Sequence, residues 1–375
     1  METLPTKEGG GGDDRPSWVM FHRASQWGGR DEDPFPSIGD AKTLAASRTS
    51  IGALVRASFR LAAPPEESRP CLDFGEYGVF SSGVVAAQGN SVLIEVCQMV
   101  VFSEDQKDVD KQDYFVYRAG VAGSCDPSLL SSLSLLPPCY VDQQLRYTYT
   151  RTDAFGLLRH GDGEVVVAAM ERKIGSCDPV EFELRVLRSG EWEINQLSVS
   201  HDEGEGEEVS SWTTNLVVPV GDRFLCWADY RVGVIVSDVS AERPQLGWIR
   251  HCFSSLASSH DVCVTGGGAV KFIDVSPHCC YGGPAATYCP HSIDAFMITA
   301  WTLRVDDDVT MTWVKDVVMT SGELWSLPGY ERLRILLEYP VMVMVKLEQG
   351  SHAPQRLPSL PLGTTLMSLT SSRRR

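Results

Sequence analysis

From about residue 70 onward, apolar residues come in short runs of strand length, divided by Gly, Asp and Pro. Short runs bounded by turn formers predict strands. Val84 to Ala87, a turn at Gln88-Gly89-Asn90 and Ser91 to Cys97 read as a hairpin. Tyr114 to Arg118 and Leu133 to Leu136 supply the next two strands. The order returns in Phe155 to Arg159, Glu164 to Met170, Glu181 to Leu187 and Trp192 to Val199. A third copy runs Asn215 to Val220, Arg223 to Ala228, Val232 to Val239 and Leu246 to Cys252. A fourth runs Asp261 to Thr265, Ala269 to Val275, Ala295 to Val305 and Val309 to Val317, with an insertion before Ala295.

Each copy is strand, glycine turn, strand, break, strand, turn, strand. The first turns fall at Gly89, Gly161, Gly221 and Gly267, which are 72, 60 and 46 residues apart. A four-stranded antiparallel unit recurring at ~45 residues or more is the blade of a β-propeller. Weak period-2 alternation inside the runs suits sheets covered on both faces. The expected fold is all-β, a propeller-like array of four-stranded antiparallel blades; the alternative is a β-sandwich or stacked β domains. One more strand, Tyr339 to Leu347, follows the fourth unit, which leaves the array incomplete at its C-terminal end. Pairing of Val341 to Val345 with Ala57 to Ala62, or with Leu72 to Phe74, would close it; otherwise an edge stays open.

The expected organisation is a disordered N-terminus (1–17), one repeat domain (18–347) and a disordered or aberrant tail (348–375) rich in Pro and Ser. Within the domain, Thr43 to Ala57 suits either a helix or a strand.

Charge narrows the partners. There are 33 Lys and Arg against 49 Asp and Glu, a net charge of −16. A surface this acidic repels phosphate backbones, so nucleic acid and anionic membranes are not expected partners. No run approaches the roughly 18 apolar residues of a spanning helix. The start, METLPTKEGGGGDDRPS, lacks the apolar core of a signal peptide. The 11 cysteines are odd in number and mostly isolated in apolar runs, as Cys97 in VLIEVC and Cys226 in RFLCWA. These features predict free thiols and a cytoplasmic or nuclear protein, not a secreted one.

Candidate chemistry is sparse. His278, Cys280, Cys289 and His291 fall close enough to supply a zinc tetrahedron, with Gly282-Gly283-Pro284 as a turn between the two arms. The spacing lacks a C-x-x-C knuckle, and the competing expectation is a loop with partly buried thiols. His251, Cys252, His260 and Cys263 form a looser scatter that reads as core packing, with a His–Cys dyad as the reactive alternative. Acidic runs at Asp202 to Glu208 and Asp306 to Asp308 read as solvated turns. Phosphate-loop, dinucleotide, zinc-protease and serine-hydrolase motifs are absent. Trp192, Trp227, Trp248, Trp301 and Trp313 fall in predicted strands and read as blade-to-blade packing.

Several stretches together carry a family resemblance: WADYRVGVIVSDVSAERPQLGWIRH, AVKFIDV, HCCYGGPAATYCPHSIDAFMITAWTLR, MTWVKD and ELWSLPGYE, with ASRTSIGALVRASFRLAAPP, YFVYRAG and SLSLLPP upstream. Over roughly residues 17–345 the chain resembles a grass-expanded plant family known as domain of unknown function 1618. The resemblance implies a β-rich, propeller-like protein with no established activity. Family members typically continue further after the position of Tyr339-Pro340, and the tail here departs from them. The blade grammar also resembles the domain that follows F-boxes in plant ubiquitin-ligase adaptors, but residues 1–50 show no F-box.

The function expected on this basis is a non-enzymatic protein-interaction module without a cofactor. Its partner surface would be the connections Phe102 to Asp113, Ile174 to Pro179, Ser200 to Ser211 and Ser276 to Ser292. An acidic chain of this kind prefers a basic or neutral protein partner. The alternative is a metal-assisted or glycosidic hydrolase on the same scaffold.

Overall fold

The computed structural model describes residues 18–21, 26–27, 39–62, 67–74, 79–101, 108–120, 129–139, 152–161, 163–173, 179–199, 206–250, 259–265, 269–277, 296–305, 311–326, 339–340, 344–346 and 369–370. Strands β1 (Trp18–Phe21) and β2 (Gln26–Trp27) come first. A 3-10 turn at Ala41–Thr43 leads into β3 (Ala45–Arg48), β4 (Leu54–Arg60) and β5 (Glu67–Asp73). Next come β6 (Val79–Gln88), β7 (Ser91–Val101), β8 (Asp108–Arg118) and β9 (Ser132–Leu135). β10 (Phe155–His160), β11 (Glu164–Arg172), β12 (Glu181–Arg188) and β13 (Glu191–Ser198) form one sheet in that order. β14 (Leu216–Val220), β15 (Phe224–Asp229), β16 (Gly233–Asp238) and β17 (Gly247–Arg250) form the next. β18 (Ser259–Val264), β19 (Val270–Pro277), β20 (Phe296–Val305) and β21 (Met311–Thr320) form another. Helices are short, α1 at Gly206–Ser210 and α2 at Ser321–Ser326.

The protein is therefore all-β and built from antiparallel four-stranded units, as the alternation of runs and turns predicts. The four expected units are the second to fifth sheets, and β2 adds itself to the edge of the second, giving the order β2-β6-β7-β8-β9. The first sheet was less legible. Its order is β23-β1-β5-β4-β3, where β23 is Met344–Lys346. The ambiguous Thr43 to Ala57 stretch is strand, because β4 alternates buried and exposed residues at period two and places Val55, Ala57 and Phe59 on the second sheet.

Two expectations are corrected. The Phe102 to Asp113 connection is shorter than expected, because β8 already begins at Asp108 and Asp113 pairs with Val96. The late strand does reach the N-terminal sheet, but it pairs antiparallel with β1, with Val19 opposite Val345. Neither expected partner was free. β4 has β3 and β5 on its two edges, and β1 occupies the remaining edge of β5. The Tyr339 to Leu347 run is also not one strand: β22 (Tyr339–Pro340) pairs with β24 (Leu369–Thr370) instead.

The sheets stack face to face in chain order. Phe59, Val55, Ile94 and Phe115 fill the seam between the first and second sheets. Leu93, Val116, Phe155 and Leu157 fill the next. Phe182, Leu184, Trp212 and Trp227 fill the third seam. Val234, Phe272, Trp301 and Leu303 fill the fourth. A last cluster lies on the far face of the fifth sheet, where Leu324 of α2 packs with Ile273, Phe296 and Ile298. Each Phe or Trp ring in these seams buries ~150–250 Å², which is why strands apolar on both faces form layers and not a half-solvated sheet.

Candidate binding face and the buried polar groups beneath it

The strand order gives the array two different ends. In the second to fifth sheets the first tight turn joins β6 to β7, β10 to β11, β14 to β15 and β18 to β19. Gly89 and Gly221 adopt φ of 59° and 64° there, a left-handed conformation that favours glycine. These turns meet one another. Gln88 accepts from the Arg159 backbone N–H at 2.6 Å and donates to the Gly221 carbonyl at 3.0 Å. The His160 ring nitrogen Nδ1 lies 2.8 Å from the Asp222 carbonyl.

Antiparallel pairing then assigns the opposite end to every connection between second and third strands, and to every passage from one sheet to the next. The connections Ile174 to Pro179, Ser200 to Ser211 and Ser276 to Ser292, and the shortened one between Val101 and Asp108, all leave described strands at that end.

Buried ionisable groups gather on the same side. Asp229, Asp261 and Asp274 lie near the connection ends of their strands. Asp229 is fully buried; its carboxylate accepts from the Thr213 N–H at 2.7 Å and the Arg231 N–H at 2.9 Å. Asp261 accepts from Tyr230 Oη at 3.2 Å. His260 faces Asp274 across the β18–β19 pair, with Nε2 2.9 Å from Oδ1.

The densest group lies between the second and third sheets. Glu95, midway along β7, accepts from Thr152 Oγ1 at 2.6 Å, from the Gln112 amide and from the Cys97 thiol. Burial, with the charge of Glu95 next, pushes the Tyr114 hydroxyl well above its usual range. Behind it, buried Arg185 donates to Glu183 at 2.6 Å and to Glu171 at 3.1 Å. Burial opposes that charge, but Cys139, Glu183 and Glu171 hold the guanidinium charged. Burial also raises the Cys139 thiol despite Arg185. These groups position and solvate one another. A raised thiol is a poor nucleophile at neutral pH.

The zinc candidates His278, Cys280, Cys289 and His291 lie outside the described residues, as do His251 and Cys252. Among the described residues no group of three or more His, Cys, Asp or Glu is placed to hold a metal. The His260–Cys263 dyad does not form. Three residues apart on one strand, the two side chains leave opposite faces, and burial drives the Cys263 thiol up to about 12. Cys226, fully buried, is likewise pushed up to about 12, as a core thiol should be. Cys97 is the exception among the expected core thiols, being half-buried beside Glu95.

The tryptophans pack. Trp227 and Trp301 are buried, and Trp192, Trp248 and Trp313 lie against seam clusters. Sequence reasoning missed Glu95 and Arg185. Their signal was present: each is an ionisable residue inside an apolar run, VLIEVC and EFELRVL.

Among the described residues no helix is long and apolar enough to cross a membrane. A hypothetical selenium-binding protein from Sulfolobus tokodaii is similar at 10% identity and a TM-score of 0.35, over 80% of this chain and 81% of that one. The protein AofleA from Arthrobotrys oligospora is similar at 9% identity and a TM-score of 0.26, over 90% and 91%. No curated protein matches the chain. Residues 227–351 match the family model described as "Protein of unknown function (DUF1618)".

Proposed function

We propose that this chain, whose residues 227–351 match the model of a family of unknown function, is a protein-interaction module and not an enzyme. The observation that carries this reading is the difference between the two ends. One end carries the first tight turns, three of which hydrogen-bond to one another, together with the connections between third and fourth strands. The other carries the longest connections, over a buried Asp229 whose carboxylate is satisfied by the fold. A rigid sheet array that carries its longest connections on one side displays shape for recognition.

The test is capture with the full chain as bait. A partner lost when the four connections are exchanged, yet kept when Gln88 and Arg223 at the turn end are substituted, supports the reading. A partner set indifferent to all four exchanges overturns it. Zinc measured in the purified chain and lost in a Cys280→Ser/Cys289→Ser variant would favour the metal-assisted hydrolase instead.

A further inference from the structure

The first sheet has one face that matches no other in the array. Its face toward the second sheet carries Ala45, Val55, Ala57 and Phe59. Its opposite face carries Arg48 from β3, Leu54, Arg56 and Arg60 from β4, and Arg69 and Asp73 from β5, since these positions alternate with the buried ones. The four arginines and Leu54 are exposed. Ser58 and Cys71 in the middle are buried, and Gly39 donates its N–H to Ser58 Oγ at 2.8 Å. A stacked sheet would need apolar residues here, as at the four filled seams.

The charges on this face are arranged unusually. Arg60 and Arg69 are directly opposed cross-strand partners. Like charges in that position repel and weaken the pairing. Arg56 is neutralised by Asp73 at 3.0 Å, and Arg48 donates to the Gly52 carbonyl at 2.8 Å. Arg60 and Arg69 have neither kind of partner among the described residues. In a chain of net charge −16, this is a local reversal of sign that no described residue neutralises at Arg60 and Arg69.

We propose that the arginine face of the first sheet is a second docking surface, specific for an acidic polypeptide segment held between Arg60 and Arg69. Opposed side chains on adjacent strands start about 5 Å apart, close enough for two guanidinium forks to share one carboxylate. Leu54, about six strand positions from Arg60 and so roughly 20 Å away, offers the same segment an apolar contact. A short acidic segment needs only this patch. A long phosphate backbone would also meet the acidic remainder of the surface, which disfavours nucleic acid. This surface is separate from the connection end and does not depend on the module reading above.

The experiment is binding of a labelled oligo-glutamate peptide to the full chain at low salt, by fluorescence anisotropy. The expected result is saturable binding weakened at least about tenfold by Arg60→Gln/Arg69→Gln and unaffected by Arg243→Gln, an exposed arginine elsewhere. The double variant should melt no lower than the parent, since it removes a repulsion, and that reading separates lost binding from lost folding. No peptide binding, or binding insensitive to the double substitution, would overturn the proposal. So would inorganic phosphate or single-stranded DNA displacing the peptide at far lower concentration than free glutamate peptide does.

Discussion

The indole N–H of Trp227 in the fourth sheet donates to the carbonyl of Ala154, 73 residues earlier, at 2.9 Å, and both residues are buried. Ala154 ends the 3-10 turn that feeds β10, so this bond ties the entry of the third sheet to the middle of the fourth. Trp192 makes the analogous link one seam earlier, donating to the Pro137 carbonyl at 2.9 Å. A Trp227→Phe variant keeps most of the ring and orphans the carbonyl. It should lose about 1–3 kcal/mol in urea unfolding, with the denaturant slope unchanged. A loss near zero would mean the seam is held by packing alone.

Gly156 sets the distance between β10 and the fourth sheet. A Cβ at that position would collide with Val217 Cγ1 and crowd the Leu225 methyls. Gly156→Ala should cost about 1–3 kcal/mol by overpacking. Val217→Ala in the same chain should recover part of that loss, and a double-mutant cycle measures the coupling. Additive effects would show that the two residues do not meet.

Arg185 has 3% of its side chain exposed, between Glu171 and Glu183. Arg185→Ala leaves two carboxylates facing each other without their cation and should destabilise by about 3–5 kcal/mol. Replacing all three by apolar residues of similar volume should be far milder. Equal losses from the single and triple replacements would contradict this account.

Acid should loosen two surface pairs. Partial burial of Asp238 works against ionisation, but hydrogen bonds from Ser240 and Arg223 win and hold its carboxyl below the usual range. Asp316 behaves likewise, with burial outweighed by Lys271 and Thr302. A lowered folded value means that the stabilisation is complete above the unfolded carboxylate value of about 3.9, and fades as pH falls through the folded value. An Asp238→Asn/Asp316→Asn variant should therefore lose less stability than the parent between neutral pH and that acid range, followed by thermal melts. Parallel curves would show that these carboxylates carry no such linkage.

The core thiols should be silent. With Cys226 and Cys263 pushed to about 12, an aromatic disulfide reagent near pH 8 should label neither until the chain is unfolded. Fast labelling of either, located by peptide mapping, would mean that its seam opens in the native state.

Much of the fold was legible because strands and tight turns are local. The run Phe155 to Arg159, the turn around Gly161 and the run Glu164 to Met170 needed only neighbouring residues to be read, and the hairpin formed as expected. The first sheet was harder, since Thr43 to Ala57 becomes strand only by laying Val55 and Phe59 on residues from another sheet. The zinc candidates lie outside the described residues, while the polar group around Glu95 and Arg185 was overlooked.

By itself, the sequence determined the strand-turn-strand units, their antiparallel order and the surplus of negative charge, since each follows from local pattern or composition. Tertiary structure alone decided that Met344–Lys346 would add to β1, because the edges of β4 and β5 were already taken. It also decided that Glu95 would meet Thr152, and that Arg60 would face Arg69 across the β4–β5 pair. Such pairings depend on which strand edges and sheet faces remain unoccupied after all the others have formed, and no local pattern records that.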